Sequence, residues 1–260
     1  MTTSTTLSAP TRPSPALSWA VLAAAVVQVA VPAVQAIWSL GAPASSQGDD
    51  LLITPAGYTF SIWSLVYLLT IAYGIVVLVR GATGTVLPDR LLRDLLLLYV
   101  GAALWIVVAA WESSWGTAVV LVAMVVLAAD AARVANRPAP DSTGPSWLTT
   151  LARVTTGVYA GWVTAAGILN VCTAIVAAGW LDGDDVGWQL GVLVVTAVVA
   201  VALSVLIGGS WAYAATLVWA LVGLIVAVRE TSGALVVTAA ITAVVVVAVN
   251  ALLVLRRRAR

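Results

Sequence analysis

The sequence predicts an all-α membrane protein, a polytopic bundle of about eight transmembrane helices. Of its 260 residues, 62% are hydrophobic and only 9% are charged, whereas a soluble domain carries about 25% charged residues because its surface contacts water. The apolar residues also form eight stretches of about 20 residues, the length that spans a hydrocarbon core of ~30 Å. We therefore expect the chain to be embedded in the lipid bilayer. We expect no nucleic acid among its partners.

The eight spans follow a polar, proline-containing segment at residues 1–16, which we interpret as a disordered cytoplasmic tail. They are predicted near residues 17–40, 56–79, 93–111, 115–136, 150–181, 187–207, 210–228 and 232–255. Most of the unusual aromatic residues lie in the first five spans, and the last three are rich in Ala, Val and Leu. We therefore predict a five-helix core at residues 17–181 and a three-helix C-terminal extension at residues 187–256.

The charged residues lie at the ends of the spans, and the number of cationic residues differs between the two sides of the predicted bundle. One side holds all the cationic residues except Arg229, and these are Arg12, Arg80, Arg90, Arg93, Arg133, Arg137, Arg153, Arg256, Arg257, Arg258 and Arg260. By the positive-inside rule that side faces the cytoplasm, so both termini are predicted to be cytoplasmic. The membrane is predicted to be the cell (plasma) membrane. A cleaved signal peptide ending near residues 42–44 is an alternative, but the first apolar stretch exceeds the 7–15 residues of a signal sequence.

The residue types that are missing limit the chemistry. The chain contains no His, and all twelve cationic residues are Arg. A His-ligated haem and a conventional metal centre with His are therefore excluded, and so is a retinal Schiff base on Lys. The single Cys172 cannot form an internal disulfide. We predict no catalytic residue, no metal site and no required cofactor.

The second span opens with an aromatic motif that runs from Thr54 to Tyr67. On a helix, a spacing of three, four and seven residues from Phe60 puts Trp63, Ser64 and Tyr67 on the same face. A face that contacts lipid does not need hydroxyl groups, so this face is expected to point into the bundle. Ordinary aromatic packing between helices is the alternative to a ligand site.

The fifth span carries a similar stripe. Its members recur at helical spacing and are Tyr159, Trp162, Ala166 and Asn170. An amide at the middle of the membrane must find a partner, so Asn170 is either a contact between helices or a contact to a ligand. On the same span, Gly157 and Gly161 allow a neighbouring backbone to approach closely.

At these two motifs the chain resembles the tryptophan-rich sensory protein family, also called the translocator protein or peripheral-type benzodiazepine receptor family. The family pattern after the first helix is approximately P-P-G-W-x-F-G-P-V-W-x-x-L-Y. The matching residues here are Pro55, Gly57, Tyr58, Phe60, Trp63 and Tyr67. Tyr58 stands in place of Trp, and there is one residue fewer between Phe60 and Trp63. The fifth-helix pattern is matched by Tyr159, Trp162 and Asn170. Ala102 stands where the third helix of the family has Asn, three residues before Trp105.

The resemblance, which covers residues 17–181, implies a five-helix bundle with a pocket that binds a flat lipophilic ligand. In this family the ligands are tetrapyrroles such as protoporphyrin IX, and for some members sterols. The ligand-binding residues it implies are Tyr58, Phe60, Trp63, Tyr67, Trp105, Tyr159, Trp162 and Asn170. The protein would act as a sensor, scavenger or carrier, with a bound tetrapyrrole as its ligand.

Other functions remain open at this point. A small-solute transporter is the main alternative, suggested by the number of spans and by two Gly-containing breaks. Photochemical degradation of a porphyrin is a minor alternative, and the protein is otherwise not expected to be an enzyme. A homodimer is left open as a partner.

Overall fold

A computed structural model describes residues 12–41, 51–137 and 144–259. Within these residues the chain forms eight long helices, and all eight are long and apolar enough to cross a membrane. They are α1 (Pro15–Trp38), α2 (Ile62–Arg80), α3 (Pro88–Ala110), α4 (Ser114–Asn136), α5 (Ser146–Ala177), α6 (Val186–Ile207), α7 (Trp211–Val228) and α8 (Gly233–Arg258), with a 3-10 turn at Gly57–Ser61 before α2. The predicted all-α membrane bundle is confirmed.

The ends of some helices differ from the predicted spans. The third helix starts at Pro88 rather than near residue 93, because proline is well tolerated in a first helical turn and the charged turn that follows stays helical. The fifth is Ser146–Ala177 rather than 150–181, and it ends before Gly179, whose φ is +70°. The first begins at Pro15, inside the predicted tail. Residues 42–44, considered above as a cleavage site, lie outside the described residues.

Four helices begin at a side chain that caps them. Ser113, Asp185, Ser210 and Ser232 each accept a hydrogen bond from a backbone N–H in the first turn of α4, α6, α7 and α8, respectively. Such caps satisfy backbone donors that have no partner inside the helix. They explain why the helices restart after short connections, such as the turn at Gly208 and Gly209 between α6 and α7.

The first five helices form a closed ring. Going around it, α2 packs on α1, α1 on α3, α3 on α4, α4 on α5, and α5 on α2. The main cluster of buried residues fills this ring; Tyr73, Tyr99 and Tyr159 are among its largest fully buried side chains. The ring is the framework that positions the aromatic residues singled out in the sequence.

The last three helices complete a second ring that shares α4 and α5 with the first. In this ring α5 packs on α7, α7 on α8, α8 on α6, and α6 on α4. The glycines of α5 face α7: a Cβ at Gly161 would lie 2.7 Å from the backbone oxygen of Tyr213, and one at Gly157 would lie 2.8 Å from Ala212 Cβ. The predicted close approach at these glycines is thus confirmed, and the neighbour is α7.

Candidate functional site

Trp63, in the first turn of α2, is the centre of an aromatic cluster. Its ring stacks on Trp105 of α3 and on Tyr67 of its own helix, with centroids 5.8 and 5.5 Å apart. The edges of Tyr159 and Trp162, both on α5, contact it at 6.1 and 6.3 Å. Four of the predicted residues therefore surround a fifth, and the cluster joins α2, α3 and α5.

A cavity of about 580 Å³ lies on one side of this cluster, between α1, α2 and α3. We call it the outer cavity. Its described lining residues carry no charge and are Pro32, Gln35, Ala36, Ser39, Gly41, Phe60, Trp63, Tyr67, Trp105 and Ile106. Its volume falls in the range of ligand pockets, about 300–1,000 Å³, and one of its walls is the stacked pair of Trp63 and Trp105.

A smaller cavity, of about 70 Å³, also lies beside the cluster. We call it the inner cavity. Phe60, Trp63 and Trp105 line it as well, but its other walls come from α5, α6, α7 and the segment before α2. Trp162, Ala166 and Asn170 face it from α5, at the helical spacing predicted from the sequence. The two cavities differ in size and share Phe60, Trp63 and Trp105 as lining residues.

Two buried amides connect the helices around the cluster. Trp105 Nε1 donates to Asn170 Oδ1 at 3.3 Å, and Asn170 Nδ2 donates to the backbone oxygen of Ala166. Gln28 of α1 accepts from the Tyr159 hydroxyl at 3.0 Å and donates to Thr70 Oγ1 at 2.8 Å. Asn170 is therefore a contact between α3 and α5 that also lines a cavity.

The segment that precedes α2 is held by α6 and α7. Ile53 N donates to Gln189 Oε1 on α6, and Ala56 N donates to the backbone oxygen of Gly223 on α7, both at 3.0 Å. Trp219 Nε1 of α7 donates to the backbone oxygen of Thr59 at 2.9 Å. Through these bonds α6 and α7 position Phe60, which lines both cavities.

The predicted site residues do not all lie on the cavities. Phe60, Trp63 and Trp105 line both, Tyr67 lines the outer cavity, and Trp162 and Asn170 line the inner one. Tyr159 is fully buried in the first ring, with its hydroxyl on Gln28. Tyr58 lies outside both cavity linings; it is 47% exposed and its ring contacts Trp219 edge-on.

The predicted inward face of the second span is correct only in part. Phe60 lies in the 3-10 turn and α2 begins at Ile62, so the helical register starts after Phe60. Within α2, Ser64, which was expected on the same face as Trp63 and Tyr67, is exposed. The sequence reasoning also missed Gln28 and Gln189, although a lone amide in an apolar span, such as Gln28, is the kind of residue expected to bind a partner inside the membrane.

The chain matches a known protein family over most of its length. The model of a family described as TSPO-like protein matches residues 16–253. The match continues past residue 181, where the resemblance based on the two motifs ended. It includes α6 and α7 and most of α8. None of the curated proteins and none of the solved structures matches the chain.

Proposed function

Because the chain belongs to the TSPO-like protein family, we propose that this integral membrane protein binds a flat lipophilic ligand in its outer cavity. The observation that supports the proposal is that three aromatic residues, Trp63 and the two rings stacked on it, Tyr67 and Trp105, line that cavity. Flat aromatic rings favour stacked contact with another flat π-system. A tetrapyrrole of the porphyrin type is the ligand class we propose, with a sterol-like molecule as the alternative.

The lining of the outer cavity supports a ligand whose buried part is apolar. No charged side chain is among its described lining residues, and its polar side chains include Gln35, Ser39 and Tyr67. A buried charge without a partner is strongly unfavourable. A porphyrin would therefore keep its carboxylates at the water-facing end of the cavity, near the end of α1. The protein would then act as a sensor, scavenger or carrier of the ligand.

Titration with protoporphyrin IX tests this proposal. Purified protein in detergent is titrated while Trp fluorescence and porphyrin absorbance are followed, beside Trp63→Leu and Tyr67→Leu. Each variant removes one aromatic ring from the outer cavity, and an aromatic pair contributes about 0.5–1.5 kcal/mol beyond its buried area. We therefore expect the Kd to rise about 2- to 12-fold in each variant.

Two further variants serve as controls. Trp19→Leu removes an exposed Trp of α1 that lines neither cavity, so it should leave the Kd unchanged. Trp162→Leu removes a ring that lines the inner cavity and contacts Trp63 only by its edge, so its effect should be smaller than that of Trp63→Leu. Quenching that does not saturate and is identical in all variants would contradict the proposal and would favour the small-solute transporter.

A further inference from the structure

A groove of about 620 Å³ lies in the second ring, between α4, α5 and α6. We call it the lateral groove. It stays open because α6 packs closely on α8 but only loosely on α4 and α5. Gly191 of α6 lines it, and a Cβ built at that glycine would have no neighbouring atom within 4 Å. The sequence therefore leaves this space empty of side chains.

The lateral groove has an exposed rim and a buried floor. Val126 of α4 and Val195 of α6 line it and are 66% and 55% exposed, whereas Cys172 of α5, also in the lining, is only 4% exposed. All three helices are long and apolar enough to cross a membrane. The rim therefore contacts the hydrocarbon of the bilayer, and the groove is open to lipid from the side.

The length of the groove corresponds to one leaflet of the bilayer. Its lining runs along α6 from Trp188 to Val199 and along α5 from residue 164 to residue 175. Each stretch rises about 16 Å at 1.5 Å per residue, which is about half of a hydrocarbon core of ~30 Å. Near the Trp188 end, the exposed rings of Trp115 and Trp180 lie 5.5 Å apart. Exposed Trp residues are typical of the membrane interface, so the groove runs from one interface to about the middle of the bilayer.

The polar groups of the lining do not need a polar occupant. Thr164 Oγ1 donates to the backbone oxygen of Ala160, and Trp188 Nε1 donates to the backbone oxygen of Asp182, both at 2.7 Å. The described lining residues include no charged side chain, and Cys172 adds only a weakly polar thiol. A polar group placed deep in the groove would lose its hydrogen bonds to water without replacing them. The buried part of a fitting occupant is therefore hydrocarbon.

The width of the groove excludes a helix from a second copy of the chain. Spread over its length, 620 Å³ corresponds to a channel roughly 7 Å across, and an α-helix with its side chains is about 10–12 Å wide. A flexible hydrocarbon chain can follow such a channel. It would contact three helices at once, so its dispersion contacts are more numerous than those of a chain lying on the surface of one helix.

We infer that the lateral groove binds a membrane phospholipid, with an acyl chain between α4, α5 and α6 and the headgroup at the Trp188 end. By the predicted orientation, this lipid belongs to the leaflet that faces away from the cytoplasm. The site needs α6, which lies outside the predicted five-helix core. It is independent of the site proposed for the flat ligand, because the described linings of the lateral groove and the outer cavity share no residue.

Photocrosslinking tests the occupant directly. The protein is placed in lipid nanodiscs that contain a small fraction of phosphatidylcholine with a diazirine in the middle of one acyl chain. After illumination, the adducts are mapped by mass spectrometry of peptides. We expect adducts on α5 between residues 164 and 175, including the buried Cys172, beside adducts on exposed residues such as Val244 of α8, which is 68% exposed.

Two variants fill the groove, and a third is their matched control. Gly191→Phe places a ring in the empty space and should abolish the adducts on α5 while those at Val244 remain. Val195→Phe fills the groove from its rim, should have the same effect, and replaces the first variant if that one does not fold. In Gly233→Phe the new side chain lies outside the groove, at a glycine of α8 whose Cβ also has no neighbour within 4 Å, so the adducts on α5 should persist.

Three results would overturn the inference. Adducts confined to exposed residues in the unmodified protein would mean that no acyl chain enters the groove. Adducts on α5 that persist in both filled variants would mean that lipid reaches this helix by another route. Loss of the α5 adducts when cholesterol is added to the nanodiscs would identify a sterol, and not an acyl chain, as the preferred occupant.

Discussion

Replacing Gln189 with leucine should loosen the segment before α2. The Gln189 side chain is fully buried; its Oε1 accepts from Ile53 N at 3.0 Å, and its Nε2 donates to the backbone oxygens of Gly183 and Asp185 at 2.6 and 3.1 Å. Leucine has a similar volume but removes all three bonds. Ile53 N and the oxygen of the buried Gly183 would then have no partner.

The magnitude follows from the buried donor. Ile53 is 5% exposed, so its N–H cannot turn to water without movement of the segment. A buried group left without its partner costs about 1–3 kcal/mol, which is about a 5- to 150-fold change in the equilibrium between a held and a released segment. Hydrogen exchange measured by mass spectrometry on a peptide covering residues 51–61 reports on this equilibrium.

We expect amide exchange in residues 51–61 to accelerate by that factor in Gln189→Leu, with α1 and α3 unchanged. Thr238→Val is the control, since its hydroxyl bonds only to the backbone of its own helix, at Ala234. Unchanged exchange would refute the assignment and would leave the bonds to Trp219 and Gly223 as the contacts that hold the segment. Faster exchange along the whole chain would instead indicate a general loss of stability.

Three further predictions concern stability and topology. Gly223→Ala places a methyl group against the segment before α2, 2.9 Å from Thr59 Cγ2. This overpacking should lower the free energy of unfolding, measured in SDS, by about 1–3 kcal/mol. A double-mutant cycle of Gln28→Leu and Tyr159→Phe should give a coupling energy near 0.6 and below about 1.7 kcal/mol, the range for hydrogen bonds between membrane helices; a value of zero would argue against their bond. A cysteine at Thr231 should react in intact cells with a maleimide that does not cross membranes, over a low background from the buried Cys172; labelling only after lysis would reverse the predicted orientation.

The fold was predictable because it depends on local properties of the chain. Span length and hydrophobicity identify eight helices whatever their neighbours are. The start of α3 was misplaced because the predicted span began only near residue 93, after most of the charged residues. The helix begins earlier, at Pro88, and includes Arg90 and Arg93. Arg90 pairs with Asp130 of α4 at 2.8 Å, a contact between helices that hydropathy does not reveal.

The site was predictable only where helical spacing decides it. Trp162 and Asn170 are two turns apart on one helix, so periodicity places them on one face. Ser64 was placed wrongly because it follows Trp63 directly in α2, and one position along an α-helix is a rotation of about 100°, which takes Ser64 away from the cluster. The bonds from Gln28 to Tyr159 and from Ile53 to Gln189 join residues more than 130 positions apart, and they depend on which helices are neighbours.

The division of the chain near residue 181 stays a prediction, but the two rings argue against two independent parts. The glycine face of α5 is covered by α7, and the segment that carries Phe60 is bonded to α6 and α7. A chain cut at residue 181 would expose that face and release that segment. We therefore expect the shortened protein to bind protoporphyrin IX more weakly than Gln189→Leu does, since it loses all the contacts of which Gln189 is one. Full affinity in the shortened protein would mean that α1 to α5 alone hold the ligand site in place.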